Sequence, residues 1–99
     1  MRLSRGGYTY IMANKSRTVL YTGVTSDILT RASEHKAHKY PDAFSARYNC
    51  DYLVWFEQHP AIEAAIVAEK QIKCGSRKKK LALIAAINPD CLDLYETLL

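Results

Sequence analysis

The stretch Tyr8-Thr9-Tyr10-Ile11-Met12-Ala13-Asn14-Lys15-Ser16-Arg17-Thr18-Val19-Leu20-Tyr21-Thr22-Gly23-Val24 decides the fold. Residues 8–13 read as one strand and residues 18–24, rich in β-branched and aromatic side chains, as a second. Asn14-Lys15-Ser16-Arg17 between them supplies turn chemistry, so the segment forms a β-hairpin. A turn centred on Lys15 and Ser16 sets Tyr10 opposite Tyr21 and Tyr8 opposite Gly23, which lays two phenols side by side on one face. A slip of one residue in a single strand would part them.

Beyond the hairpin, Thr25 or Ser26 is placed to cap a helix that begins at about Asp27 and fades after Lys36, with Ile28, Leu29 and Ala32 as its apolar face. Residues 38–49 contain Pro41 and keep no period, which suits a loop or a short irregular helix. Residues 51–57 hold the unbroken apolar run Tyr52-Leu53-Val54-Trp55-Phe56, which suits a strand covered on both faces. Pro60 fits the first turn of a further helix that reaches Lys73, and Gly75 stops it. Ser76 then caps a last helix that extends to Ile87, with Leu81, Ile84 and Ile87 facing inward, before Asn88-Pro89 ends it. The order β-β-α-β-α-α gives an α+β fold, a small antiparallel sheet flanked by helices.

The chain has 99 residues, of which 48% are hydrophobic and 24% charged, enough for one modest core and one domain over residues 1–99. Three cysteines, Cys50, Cys74 and Cys91, are odd in number and widely spaced, which matches neither a disulfide framework nor a zinc knuckle and implies reduced thiols. No apolar run approaches a membrane span, and Met1-Arg2-Leu3-Ser4-Arg5-Gly6-Gly7 has no apolar stretch for a secretion signal. The expected location is therefore cytoplasmic, without a membrane partner. A net charge of +4 and a pI near 9.0 favour an anionic partner.

Several side chains carry possible chemistry. Phenols relay protons and bind phosphate oxygens, and a guanidinium offsets charge on a phosphoryl group, so Tyr10 and Tyr21 beside Arg31 and His35 point to phosphodiester chemistry. Arg31 and His35 lie one helical turn apart and either border a cleft or sit on a solvated surface. Glu69 projects from the apolar stripe of Ile62, Ala65, Ile66 and Ile72, where a carboxylate needs a cation, a metal ion or strong donors. A structural salt bridge, or an edge position open to water, would also satisfy it. The basic run Arg77-Lys78-Lys79-Lys80, preceded by Lys70 and Lys73, opens the last helix, where cations oppose the helix dipole unless phosphates accompany them. The same run also reads as a solvated face. His38 and His59 have no neighbours at metal-ligand spacing.

With these residues in place, the chain resembles the GIY-YIG endonucleases, in particular their small UPF0213-type members, over almost its whole length. Tyr8-Thr9-Tyr10 stands at the first signature and Tyr21-Thr22-Gly23 at the second. Val24-Thr25-Ser26-Asp27-Ile28 with Arg31 and Glu34-His35 is similar to the next block. Phe44-Ser45-Ala46-Arg47-Tyr48-Asn49 and Glu69-Lys70-Gln71-Ile72-Lys73 are similar to later ones. The resemblance implies a three-stranded antiparallel sheet, a core of about residues 7–95, and a site for DNA phosphodiester cleavage that uses Mg²⁺ or Mn²⁺. By the same resemblance Tyr10 and Tyr21 orient water and phosphate, with one of them available as general base. Arg31 would stabilise the transition state, His35 would bind phosphate or assist proton transfer, and Glu69 would ligate the metal. Lys73, Arg77, Lys78, Lys79 and Lys80 would bind nucleic acid.

The function expected on this basis is a metal-dependent DNA endonuclease, selective for DNA structure or lesions and acting in repair or recombination, with homodimerisation as one way to enlarge its surface. The alternative is a nucleic-acid-binding or adaptor module of the same fold that cleaves little. It is motivated by Val24, which stands where the family's repair nucleases carry lysine, and by the lack of a matching downstream asparagine.

Overall fold

The computed structural model of the chain describes residues 6–99; the reading of Met1 to Arg5 as part of a leaderless N-terminus lies outside them. In chain order the elements are β1 (Gly7–Ala13), β2 (Leu20–Thr25), α1 (Ile28–Lys36), α2 (Phe44–Arg47), β3 (Tyr52–His59), α3 (Ile62–Cys74) and α4 (Arg77–Ile87), followed by a 3₁₀ turn at Tyr95–Leu98. The strands form an antiparallel sheet in the order β2-β1-β3. The expected α+β architecture is therefore present; α2 is the short helix that residues 38–49 left open, and the closing turn is an addition.

β1 occupies the centre and every one of its residues is buried, because helices cover both faces. Tyr8, Tyr10 and Met12 pack on one side with Ile28 and Ala32 of α1, Cys50 and Leu53. Ile11 and Ala13 pack on the other with Val54, Trp55 and Ile84 of α4. The alternation of the strand thus divides the core into two layers. In β3 the register shifts between Ile11 and Met12, whose partners are Trp55 and Leu53, so Val54 is the extra residue of a bulge. The bulge explains how Val54 and Trp55 join the same layer while Leu53 joins the opposite one.

The hairpin register differs from the sequence expectation. Tyr10 pairs with Gly23, and Tyr21 with Met12. The turn is longer than two residues because Asn14 organises it: its Oδ1 accepts from the backbone N–H of Thr18 at 2.8 Å and of Val19 at 3.1 Å. Its own N–H donates to the Val19 carbonyl. Arg17 takes a left-handed conformation, φ 60°, which closes the loop. The displacement is an even number of residues, so both phenols stay on one face, as diagonal neighbours with ring centroids 6.4 Å apart.

The cap of α1 is Asp27 rather than Thr25 or Ser26, since its carboxylate accepts from the Thr30 N–H at 3.1 Å. Ser76 caps α4 as expected. Of the three side chains expected to face inward from α4, only Ile84 does so; Leu81 and Ile87 are 42% and 57% exposed. Ile66 of α3 is exposed as well. A groove of about 440 Å³, lined by Ile72, Leu83 and Ala86 with Lys79 and Lys80, opens between α3 and α4. No helix among the described residues is long and apolar enough to cross a membrane.

Candidate active site

The two tyrosines reach the site from adjacent strands, and α1 brings Arg31 and His35 over them. Tyr10 is 1% exposed, and its hydroxyl lies 2.9 Å from His35 Nε2. Arg31 Nε donates to the same hydroxyl at 3.3 Å. His35 Nδ1 in turn lies 3.0 Å from Ser45 Oγ of α2. A buried phenol that accepts from Arg31 satisfies its own proton by donating to Nε2, which leaves Nδ1–H to donate to Ser45. Arg31, Tyr10, His35 and Ser45 then form one hydrogen-bonded chain.

Tyr21 completes the group, with its ring centroid 5.5 Å from that of His35. It is only half-buried and borders a small cleft with Arg31, His35 and Tyr40. Arg31 is held from behind by Glu34 at 3.2 Å, and Glu34 also meets Lys39 at 2.8 Å. Among the described residues, Arg31 Nη2 has no hydrogen-bond partner, which leaves an N–H group for an anionic ligand. Of the two readings open for Arg31 and His35, the cleft is therefore correct. The solvated surface fails because His35 is 7% exposed.

Burial decides the protonation of the pair at the centre. It pushes the Tyr10 phenol up to about 12, against the opposing pull of the Arg31 hydrogen bond. It pushes the His35 imidazole down to about 4, helped by the positive charge of Arg31. Both groups are therefore neutral at neutral pH. Tyr10 is a poor base in this state and a good fixed donor or acceptor.

Glu69 approaches from α3. Its side chain is 13% exposed, and its Oε2 lies 3.2 Å from Lys73 Nζ, one turn along. Lys73 Nζ also stands 6.0 Å from the centroid of the Tyr21 ring. The structure thus gathers Tyr10, Tyr21, Arg31 and His35 directly and links Glu69 to them through Lys73. The salt-bridge reading of Glu69 holds, and its partner Lys73 is 50% exposed, so the ammonium end of the pair is open to water.

Whether this acid suits a divalent cation follows from the chemistry of the ion. Among the described residues no group of three or more His, Cys, Asp or Glu side chains gathers to form a protein cage. Mg²⁺ seldom uses such a cage; it keeps several waters and takes one or two carboxylates plus substrate phosphates. A largely buried carboxylate with one exchangeable partner fits that habit.

Of the five residues expected to bind nucleic acid, Lys73 is the one that stands beside Tyr21 among the described residues. Arg77 donates to the Arg17 carbonyl at 2.9 Å, and Lys78, Lys79 and Lys80 stand at the start of α4, with the latter two along the α3–α4 groove. Ser45, Glu34 and Gly23 were missed as site residues by the sequence reading. A Cβ at Gly23 would meet the Tyr10 hydroxyl at 2.4 Å, a close approach that the corrected register alone reveals.

Comparison with known proteins identifies the family. Residues 6–82 match the model of the GIY-YIG catalytic domain. A UPF0213 protein of Syntrophus aciditrophicus (strain SB) is 36% identical over 83 residues, covering 84% of this chain and 93% of that protein. A UPF0213 protein of Streptococcus sanguinis (strain SK36) is 40% identical over 65 residues, covering 66% of this chain and 74% of that protein. No solved structure matches at the same level of significance. The chain belongs to the GIY-YIG family of nuclease domains, as a small member of the UPF0213 type.

Proposed function

We propose that this chain is, as a single domain, a metal-dependent DNA endonuclease that hydrolyses phosphodiester bonds in branched, nicked or damaged DNA, in the cytoplasm and in the service of repair or recombination. The observation that carries the reading is the buried chain Arg31–Tyr10–His35–Ser45, with the more accessible Tyr21 above it and Glu69 one lysine away.

In this reading water attacks phosphorus in line and the opposite P–O bond breaks. Tyr21, the less buried phenol, orients the water and in its phenolate form accepts the water proton, while solvent protonates the departing oxygen. Tyr10 stays protonated and, with His35, fixes the position of Arg31, whose free N–H group binds the phosphoryl oxygens as charge develops on them. Glu69 holds the divalent cation, Mg²⁺ or Mn²⁺, which when bound offsets phosphoryl charge. Lys73, released from Glu69, turns to a neighbouring phosphate, and the basic start of α4 holds the flanking strand.

The test is incubation with branched, nicked and single-stranded DNA in Mg²⁺ or Mn²⁺. Wild type should cut at least one of these, with Glu69→Ala and Arg31→Ala slower by about 100-fold or more; wild-type rates from both variants would reject the site. The Glu69–Lys73 pair itself favours a second reading, a binding module whose acid is already satisfied. That module would bind DNA in a salt-dependent manner without turnover, and Glu69→Ala would leave its affinity intact.

A further inference from the structure

From Tyr21 two further aromatic rings, Phe44 and Tyr48, run outward, and the chemistry above uses neither of them. Tyr21 stacks on Phe44, with centroids 6.3 Å apart and planes at 26°. Phe44 meets Tyr48 at 4.6 Å and 38°. Phe44 and Tyr48 are each 49% exposed, so half of each ring faces water.

Their placement is fixed from within. α2 has only four residues, yet it turns Ser45 inward to hold His35. The same turn sends Phe44 and Tyr48, four residues apart, to one outer face. Past Tyr48 lies an open cleft of about 520 Å³ lined by Asn14, Lys15, Ser16, Tyr48 and Asn49. That volume suits a small planar ligand, and the lining offers the Asn49 amide beside the Lys15 cation. Exposed aromatic rings next to such polar and cationic groups are the surface on which unpaired nucleobases stack. Bases inside a duplex have no free face to offer.

We infer that Phe44 and Tyr48 form a stacking platform for an unpaired nucleobase beside the scissile phosphate, so that the substrate of this site is DNA with a single-stranded or frayed segment. The inference rests on the nuclease reading and narrows its substrate. The strand enters with one phosphate at Arg31, stacks its next bases on Phe44 and Tyr48, and sends a further phosphate toward Lys15.

Binding in EDTA separates the platform from the chemistry. The probe is a single-stranded oligonucleotide carrying 2-aminopurine at its centre, compared with the blunt duplex of the same sequence. Wild type and Glu69→Gln should both bind the single strand and quench its fluorescence. Phe44→Leu and Tyr48→Leu, which keep apolar bulk but lose the ring, should each weaken single-strand binding by about ten-fold. Duplex affinity should not change, and Tyr48→Phe should bind like wild type.

Leucine variants that bind the single strand as wild type does would overturn the platform, as would equal losses on strand and duplex, which would mean a general structural or protein-contact role for the rings. If such results accompany cleavage by wild type and its loss in Glu69→Gln, the nuclease reading survives alone. If wild type neither binds nor cuts any DNA, both readings fall.

Discussion

At the residue scale the decisive fact is that His35 is neutral because it is buried and lies near Arg31. Its ordinary value of 6.5 falls to about 4 in the folded protein, so between those pH values the unfolded chain binds a proton that the folded chain does not. Stability is therefore complete above pH 6.5 and declines as pH falls toward 4, by at most about 3 kcal/mol. Urea melts from pH 7.5 downward should show this decline in wild type and a shallower one in His35→Gln; equal slopes would mean that His35 titrates normally. The sequence announced Arg31 and His35 as a spacing, but it held no sign of burial. That came from Ser45, whose hydroxyl serves a histidine ten residues earlier, through a short helix without periodicity.

At the scale of elements, the hairpin was legible as two strands, while its register was not. Asn14 decided the register by accepting two backbone N–H groups through one side chain, a choice that competes with a tight turn on Lys15 and Ser16. The correction places Gly23 beneath the Tyr10 hydroxyl, so Gly23→Ala must push a ring that is 1% exposed and has nowhere to go. We expect a loss of about 1–3 kcal/mol of stability, together with a fall in cleavage larger than unfolding explains. Thermal melts and rates per folded molecule check this; a fully active, fully stable Gly23→Ala protein would contradict the register. The ends of α3 and α4 were also legible, from Gly75 and Ser76. The inward set of α4 was not, because three apolar residues on one helix do not reveal that only Ile84 meets the sheet.

At the scale of the whole molecule, the C-terminal segment ties the layers together. Asn88 Nδ2 donates to the carbonyl of Val54 at 3.0 Å and to that of Leu92 at 2.8 Å. Asp93 accepts from Leu53 N–H and Tyr95 N–H while pairing with Lys36 of α1. Asn88→Ala orphans the carbonyl of the bulge and should cost about 1–3 kcal/mol in chemical denaturation, with the cleavage rate of the folded fraction unchanged. A proportional loss of catalysis would instead mean that the tail shapes the site. Glu69 was legible as an anomaly in an apolar stripe, whereas its distance from the tyrosines depends on how α3 lies against the sheet and has no local signature. The proposed chemistry requires this acid and the tyrosine cluster to serve one cation site. Titration with Mn²⁺ under NMR observation measures it most directly: Tyr21 ring signals should broaden in wild type and stay sharp in Glu69→Gln, whereas sharp Tyr21 signals in a Mn²⁺-activated wild type would separate the acid from the phenols and contradict it.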